Sequence, residues 1–237
     1  MINTSLEVIG YVRCDYKEKF GIPRQSGLTG CATAFIEMLP PYNQAEAFRG
    51  LDEFSHLWLL WDFSKAHKNG FTATVKPPKL GGNQRMGVFA TRSPFRPNNI
   101  GLSSVRLLDI IYNEENGCVH GLVVSGADIL DGTPVYDIKP YLPYTDSHPD
   151  ATGGWTDSID IPELSVCFSD DIAAKLETIF SSTQIEALKE ILAQDPRPGY
   201  QDEPGRRYGM LYGGYDIRFN ISGDTLTICE VAEPGSQ

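Results

Sequence analysis

The chain has 237 residues, with 20 Lys and Arg against 31 Asp and Glu, for a formal net charge of −11 at pH 7. That length suffices for one large domain or two small ones, and 41% hydrophobic with 22% charged residues excludes a disordered, collagen-like or staple-dependent chain. No apolar run approaches the ~20 residues of a membrane helix, and the start lacks a basic stretch ahead of an apolar one, so a cytoplasmic protein without membrane contact is expected. The five cysteines are odd in number, far apart and without a CxxC pair, which argues for free thiols in a reducing compartment and against a metal site.

Up to residue 144, short β-type runs alternate with turn chemistry. Runs at 6–12, 32–38, 57–63, 86–91, 105–112 and 119–125 are rich in branched and aromatic residues. Breakers at Pro40-Pro41, Pro77-Pro78, Gly81-Gly82, Pro94 and Pro97 separate them, which is the spacing of an antiparallel barrel or sandwich and disfavours a doubly wound sheet. The run His56-Leu57-Trp58-Leu59-Leu60-Trp61 reads as core strand rather than as a stacking platform, with His56 a satisfied core histidine. Small polar residues at 145–154 mark a connection. Beyond it Ile172, Leu176, Ile179 and Phe180 share one helical face, and Ile185, Leu188 and Leu192 another. Thr183 and Glu186 are spaced as a capping box between them, which predicts an αα-hairpin. A proline-rich loop at 194–200 and strand-like runs at 217–221 and 226–231 complete the chain. The expected fold is mainly β: an antiparallel β-barrel over 5–145 with a small α+β C-terminal domain over 155–237.

Charge is unevenly placed. Residues 1–149 hold 14 basic and 15 acidic side chains, whereas 150–237 hold 6 and 16. Between Asp62 and Asp109 no acidic residue occurs, while Lys65, Lys68, Lys76, Lys79, Arg85, Arg92, Arg96 and Arg106 make that window strongly positive. A polyanion responds to such a local patch more than to net charge.

Two windows carry candidate chemistry. In Gly87-Val88-Phe89-Ala90-Thr91-Arg92-Ser93-Pro94-Phe95-Arg96-Pro97-Asn98-Asn99-Ile100-Gly101-Leu102-Ser103, prolines stiffen a loop bearing two arginines, the kind of rigid polar loop in which sites are built; its plain reading is a strand connection with solvated arginines. In Asp128-Ile129-Leu130-Asp131-Gly132, continuing through Tyr136-Asp137-Ile138-Lys139-Pro140-Tyr141, crowded carboxylates would perturb one another, or Asp131-Gly132 is simply a turn. Pro23-Arg24-Gln25 could grip a carboxylate or an adenine edge. Nothing matches GxGxxG, a P-loop, GxSxG or HExxH, which removes support from dinucleotide redox, nucleotide hydrolysis and serine or zinc hydrolysis.

These segments, together with Tyr16-Lys17-Glu18-Lys19-Phe20, Pro41-Tyr42, Arg49-Gly50-Leu51, Phe54-Ser55-His56-Leu57-Trp58, Leu80-Gly81-Gly82-Asn83 and 194–200, resemble the TsaA-like, TrmO-type tRNA methyltransferases, also called the YaeB or VirR family, over essentially the whole chain. The resemblance implies a non-Rossmann β-barrel that uses S-adenosylmethionine to methylate N6 of threonylcarbamoyl-adenosine at position 37, in the anticodon loop of threonine tRNA, and a homodimer. By the family pattern the cofactor contacts Pro23, Arg24, Gln25, Ser64, Lys65, Arg92, Leu102, Asp128, Ile129, Leu130 and Asp131. Asp137 or Tyr141 is a candidate proton acceptor, and Lys139 or Arg96 a candidate holder of the threonyl carboxylate or a phosphate. Two positions depart from the pattern. Ser64-Lys65 stands where relatives carry His-Gln, and Asn99 replaces a proline, which is expected to free a backbone donor and some flexibility. Competing readings are a small-molecule methyltransferase and a non-catalytic RNA-binding barrel.

Overall fold

A computed structural model describes residues 5–67, 71–77, 84–159, 163–197 and 205–235. Lys68, Pro78, Lys79, the 80–83 motif and positions 198–200 of the proline-rich loop lie outside the described residues. In chain order the first strands are β1 (Gly10–Cys14), β2 (Thr33–Met38) and β3 (His56–Asp62). A two-stranded ribbon follows, β4 (Thr74–Val75) with β5 (Met86–Gly87), then β6 (Ile100–Tyr112), β7 (Val119–Ser125) and β8 (Pro134–Pro140). Six of these close an antiparallel barrel in the order β1-β2-β7-β6-β3-β8. A closed sheet has no edge to protect.

The period-two alternation of the strands builds both faces. Leu57, Leu59 and Trp61 of β3 point inward with Val12, Ile36, Val105, Leu122, Val124 and Val135, while Trp58 and Leu60 stand on the other face. Gly101 of β6 pairs directly with Trp61, and the ring lies where a side chain at 101 would stand: a Cβ there would sit no farther than 2.5 Å from ring atoms Cε2, Cδ2 and Cζ2.

After the single turn α1 (Pro143–Asp146), the C-terminal part comprises β9 (Ser165–Phe168), α2 (Asp170–Ile179), α3 (Ser182–Ala193), β10 (Arg207–Tyr212), β11 (Tyr215–Ser222) and β12 (Thr225–Ala232). Its sheet runs β10-β11-β12-β9, with β9 parallel to β12. Leu176, Leu188, Ile191 and Leu192 of the helices pack on Ile217, Phe219, Leu226 and Ile228 of the sheet. Tyr16 and Ala32, far upstream, belong to the same core, and Tyr16 bridges Tyr212.

Several expectations need correction. The capping box is Ser181 with Gln184, not Thr183 with Glu186: the Gln184 amide donates to Ser181 Oγ and the Ser181 amide to Gln184 Oε1 at 3.1 Å. Phe180 already leaves the helical conformation, so the next residue takes the cap. The first run begins at Gly10, and the run at 86–91 shrinks to Met86–Gly87 followed by a 3-10 turn at Val88–Ala90. β8 occupies a stretch read as turn; of its residues only Val135 is buried, so it carries no alternation to detect. β9 and β10 were likewise not expected.

Candidate active site

An open cavity of about 1110 Å³ lies across β3, β6 and the loops carrying Pro23, Ser64, Arg92 and Asp128. Asp128 stands three residues beyond the end of β7. Its Oδ1 accepts from the Ser103 hydroxyl at 2.5 Å, and Ser103 Oγ accepts from the Trp61 indole at 2.9 Å. A core tryptophan, an inward-facing serine of β6 and the carboxylate thus form one relay. Burial raises the Asp128 pKa above its ordinary 3.8, against the opposing effects of the Ser103 bond and the Arg92 charge. Arg92 Nη1 donates to Gln25 Oε1, and Ser26 Oγ accepts from the Ser104 amide at 3.2 Å, which ties the 23–26 loop to β6.

The arginine loop is pinned from within. Arg96 Nη1 donates to the Thr91 and Val88 carbonyls at 2.6 and 3.2 Å, and its guanidinium lies 5.7 Å from the Phe89 ring centroid. Asn99 Nδ2 donates to the Pro94 carbonyl at 2.6 Å. The flexibility expected from replacing a proline is therefore offset by a side-chain bond across the loop.

An aromatic group also lines the cavity. Tyr141 packs at a tilt 5.5 Å from Trp58 and edge-on 6.2 Å from His56, centroid to centroid. The Trp58 indole donates to Asp146 Oδ2 at 2.8 Å, as does the Leu142 amide at 2.9 Å. These two bonds, the backbone one foremost, lower the Asp146 pKa. His56 is exposed and lines the cavity, which corrects its assignment to the core. The reason is register: it shares the Trp58 face of β3, not the Leu57 face. Asp62, at the end of β3, bonds His67 Nε2 at 2.7 Å.

Of the expected site residues, Pro23, Arg24, Gln25, Ser64, Lys65, Arg92, Leu102, Asp128, Leu130 and Tyr141 line this one cavity. Four do not. Ile129 is fully buried in the barrel core. Asp131 accepts from the Cys14 amide at 3.0 Å and pairs with Lys17 at 3.0 Å. Asp137 and Lys139 pair with each other at 2.7 Å and lie outside the lining. Beside that turn, burial pushes the Cys14 thiol up to about 12, which rules it out as a thiolate nucleophile at neutral pH. Trp58, His56, Asp62 and Asp146 were missed; the alternation of β3, read face by face, would have found the first two.

Among the described residues no group of His, Cys, Asp and Glu could hold a metal ion, and no helix is long and apolar enough to cross a membrane. The site offers a carboxylate, an arginine-amide pair and a large aromatic wall, a set suited to binding and aligning organic groups.

Comparison with known proteins agrees with this arrangement. The family model for the tRNA-methyltransferase O N-terminal domain matches residues 11–147, and that for the TrmO C-terminal domain matches 161–234. The chain is 43% identical over 226 residues to the tRNA (adenine(37)-N6)-methyltransferase of Escherichia coli, covering 94% of this chain and 95% of that one. It is 42% identical over 233 residues to a putative S-adenosylmethionine-dependent methyltransferase, RcsF, of Pseudomonas aeruginosa, covering 96% and 97%. A crystal structure of TrmO from P. aeruginosa superposes with a TM-score of 0.79 at 37% identity over 98% of each chain. With both family models matched in order along a closed barrel and its attached α+β part, the chain belongs to the TrmO family of tRNA methyltransferases.

Proposed function

We propose that this protein transfers a methyl group from S-adenosylmethionine to N6 of threonylcarbamoyl-adenosine at position 37, in the anticodon loop of tRNA, and that it works in the cytoplasm as a homodimer. The observation that carries this reading is the convergence, in one cavity, of Asp128, Arg92 and the Pro23-Arg24-Gln25 loop with the Trp58–Tyr141 pair.

The residues present fit the cofactor. Pockets for one small molecule measure about 300–1000 Å³, so about 1110 Å³ leaves room for a cofactor and an acceptor base together. Asp128, anchored by Ser103, would take the cofactor's ammonium or a ribose hydroxyl. Exposed Leu102 and Ile100 would lie under its adenine, and Gln25 and Arg92 would meet its polar edges. Bound there, S-adenosylmethionine supplies an electrophilic methyl on a sulfonium, and in-line displacement asks the protein for alignment more than for covalent help.

The remaining work is done by the chain. Trp58 and Tyr141 offer stacking faces for a purine, worth about 1–3 kcal/mol per base. N6 lies between a purine and a urea carbonyl, so its proton can pass to a positioned oxygen. Tyr141 lines the cavity, whereas Asp137 is engaged with Lys139, and Tyr141 is the relay we favour: its hydroxyl oxygen takes the N6 proton as its own O–H proton passes to solvent. Single-turnover methylation by Tyr141→Phe should fall roughly a hundredfold while Asp137→Asn stays within about threefold; the reverse order would move the proton transfer to β8. Lys65 is exposed and on the cavity lining, a phosphate contact for the anticodon stem-loop. Leu108 and Tyr112 of β6, outside the cavity lining, are exposed large side chains of the kind a second copy would cover.

The test is incubation of the purified protein with S-adenosylmethionine and tRNA from cells lacking this modification, followed by digestion and mass spectrometry of the nucleosides. A mass gain of one methyl on threonylcarbamoyl-adenosine is expected. Binding of tRNA without any S-adenosylmethionine binding would indicate a non-catalytic RNA-binding barrel, and cofactor binding without tRNA methylation a small-molecule methyltransferase.

A further inference from the structure

Arg24, in the loop expected to hold the cofactor, is gripped from the far end of the chain. Its Nη2 donates to the carbonyls of Asp195 and Arg197 at 3.2 and 3.1 Å. Both carbonyls belong to the turn that follows α3, and the same turn holds the segment a second time, through Gln194 Nε2 donating to the Leu28 carbonyl at 2.9 Å. Between the turn and the segment carrying Lys19 to Arg24 lies a hollow of about 160 Å³. Packing across that gap is incomplete, so the polar bonds have an outsized share in fixing the loop.

The turn itself is built around Asp195. Its backbone is left-handed, with φ 51°, a conformation that Asp and Asn tolerate better than other non-glycine residues. Its carboxylate accepts from the Arg197 amide at 3.2 Å and from Arg197 Nε and Nη2 at 2.8 Å each, a two-pronged pair with only 16% and 26% of the two side chains exposed. This bracing turns the 195 and 197 carbonyls toward one guanidinium nitrogen. From Arg24 the path continues to Gln25, which meets Arg92 across the cavity.

We infer that the Gln194–Arg197 turn of the C-terminal part is a clasp that sets the position of the cofactor loop, with Asp195 as its positioning residue. The assignment of that loop to S-adenosylmethionine rests on the function proposed above. Within the C-terminal part, Arg197 braces this clasp, and Arg207 pairs with Glu230. The C-terminal part thus acts on the cofactor site within its own chain.

Two readouts on the full chain test the clasp. The first is hydrogen exchange of the ligand-free protein at the Gly27 amide, which bonds the Gly126 carbonyl at 2.8 Å just beyond the loop. The second is calorimetric affinity for S-adenosylmethionine. Asp195→Ala should speed exchange at Gly27 and weaken the affinity roughly tenfold, the equivalent of one charge-assisted bond. The rate constant at saturating cofactor should stay within about twofold, because binding alone is affected. Asp195→Asn, which keeps the left-handed turn and one acceptor, should recover most of both. Unchanged exchange and affinity in a folded Asp195→Ala protein would overturn the clasp. If that variant does not fold, Gln194→Met replaces it, with a shift in both readouts expected and no shift overturning the inference. A wild-type protein that fails to bind S-adenosylmethionine would sink the proposed function, while the exchange measurement would still decide the clasp.

Discussion

Asp128→Asn is expected to weaken S-adenosylmethionine binding about thirtyfold or more, the worth of roughly 2 kcal/mol for a lost charge-assisted bond. The substitution is nearly isosteric, and an amide oxygen can still accept from Ser103, so the barrel should keep its stability and only the charge is removed. The wild type carries a further signature. Because burial raises the Asp128 pKa above 3.8, a falling pH protonates it earlier than an ordinary aspartate, and the neutral acid loses its hold on a cationic ligand. Affinity should therefore decline as pH falls through that raised value, and the decline should vanish in Asp128→Asn. Equal affinities for the two proteins, or a pH dependence that survives the substitution, would remove Asp128 from the cofactor site.

The second large effect is on the fold. Gly101→Ala would force a methyl to within 2.5 Å of three atoms of the Trp61 ring, and that ring can yield only by breaking its bond to Ser103 and displacing barrel core. Overpacking of this kind costs about 1–3 kcal/mol, and the upper end is expected because a rigid indole has no flexible end to bend aside. For a domain of this size each kcal/mol moves Tm by about 2–4 °C, so a scan should fall by several degrees. The same substitution shifts Ser103, which anchors Asp128, so cofactor affinity should drop alongside stability. A variant with native Tm and native affinity would show that the strand pair has slack.

How much of this was legible beforehand follows from where the side chains point. Strands β2, β3, β6 and β7 announce themselves because each has one face in the core, and Leu57, Leu59 and Trp61 repeat at period two. β8 and β9 hide, since β8 buries Val135 alone and β9 no residue fully. Their partners in the sheet hold them, and a partner is not written in the local pattern. The site was legible as a set of loops: Arg92, Asp128 and the 23–25 segment reach one cavity although more than sixty residues separate the first loop from the second. Which atoms of each loop face inward was not legible. Ile129 and Asp131 flank the lining residues in sequence yet are used by the barrel core and by Cys14 and Lys17. Asp146 was missed because its role depends on Trp58, a neighbour 88 positions away.

The sharing of Tyr16 and Ala32 with the C-terminal core, and the bridge from Tyr16 to Tyr212, bear on how the molecule can be dissected. A gene fragment ending near residue 150 would strand two apolar side chains in water and strip the ligand loop of its outer restraint, leaving a barrel with an unfinished rim. Swapping tails between relatives would meet the same obstacle, since each tail has to match the entry stretch of the barrel it closes.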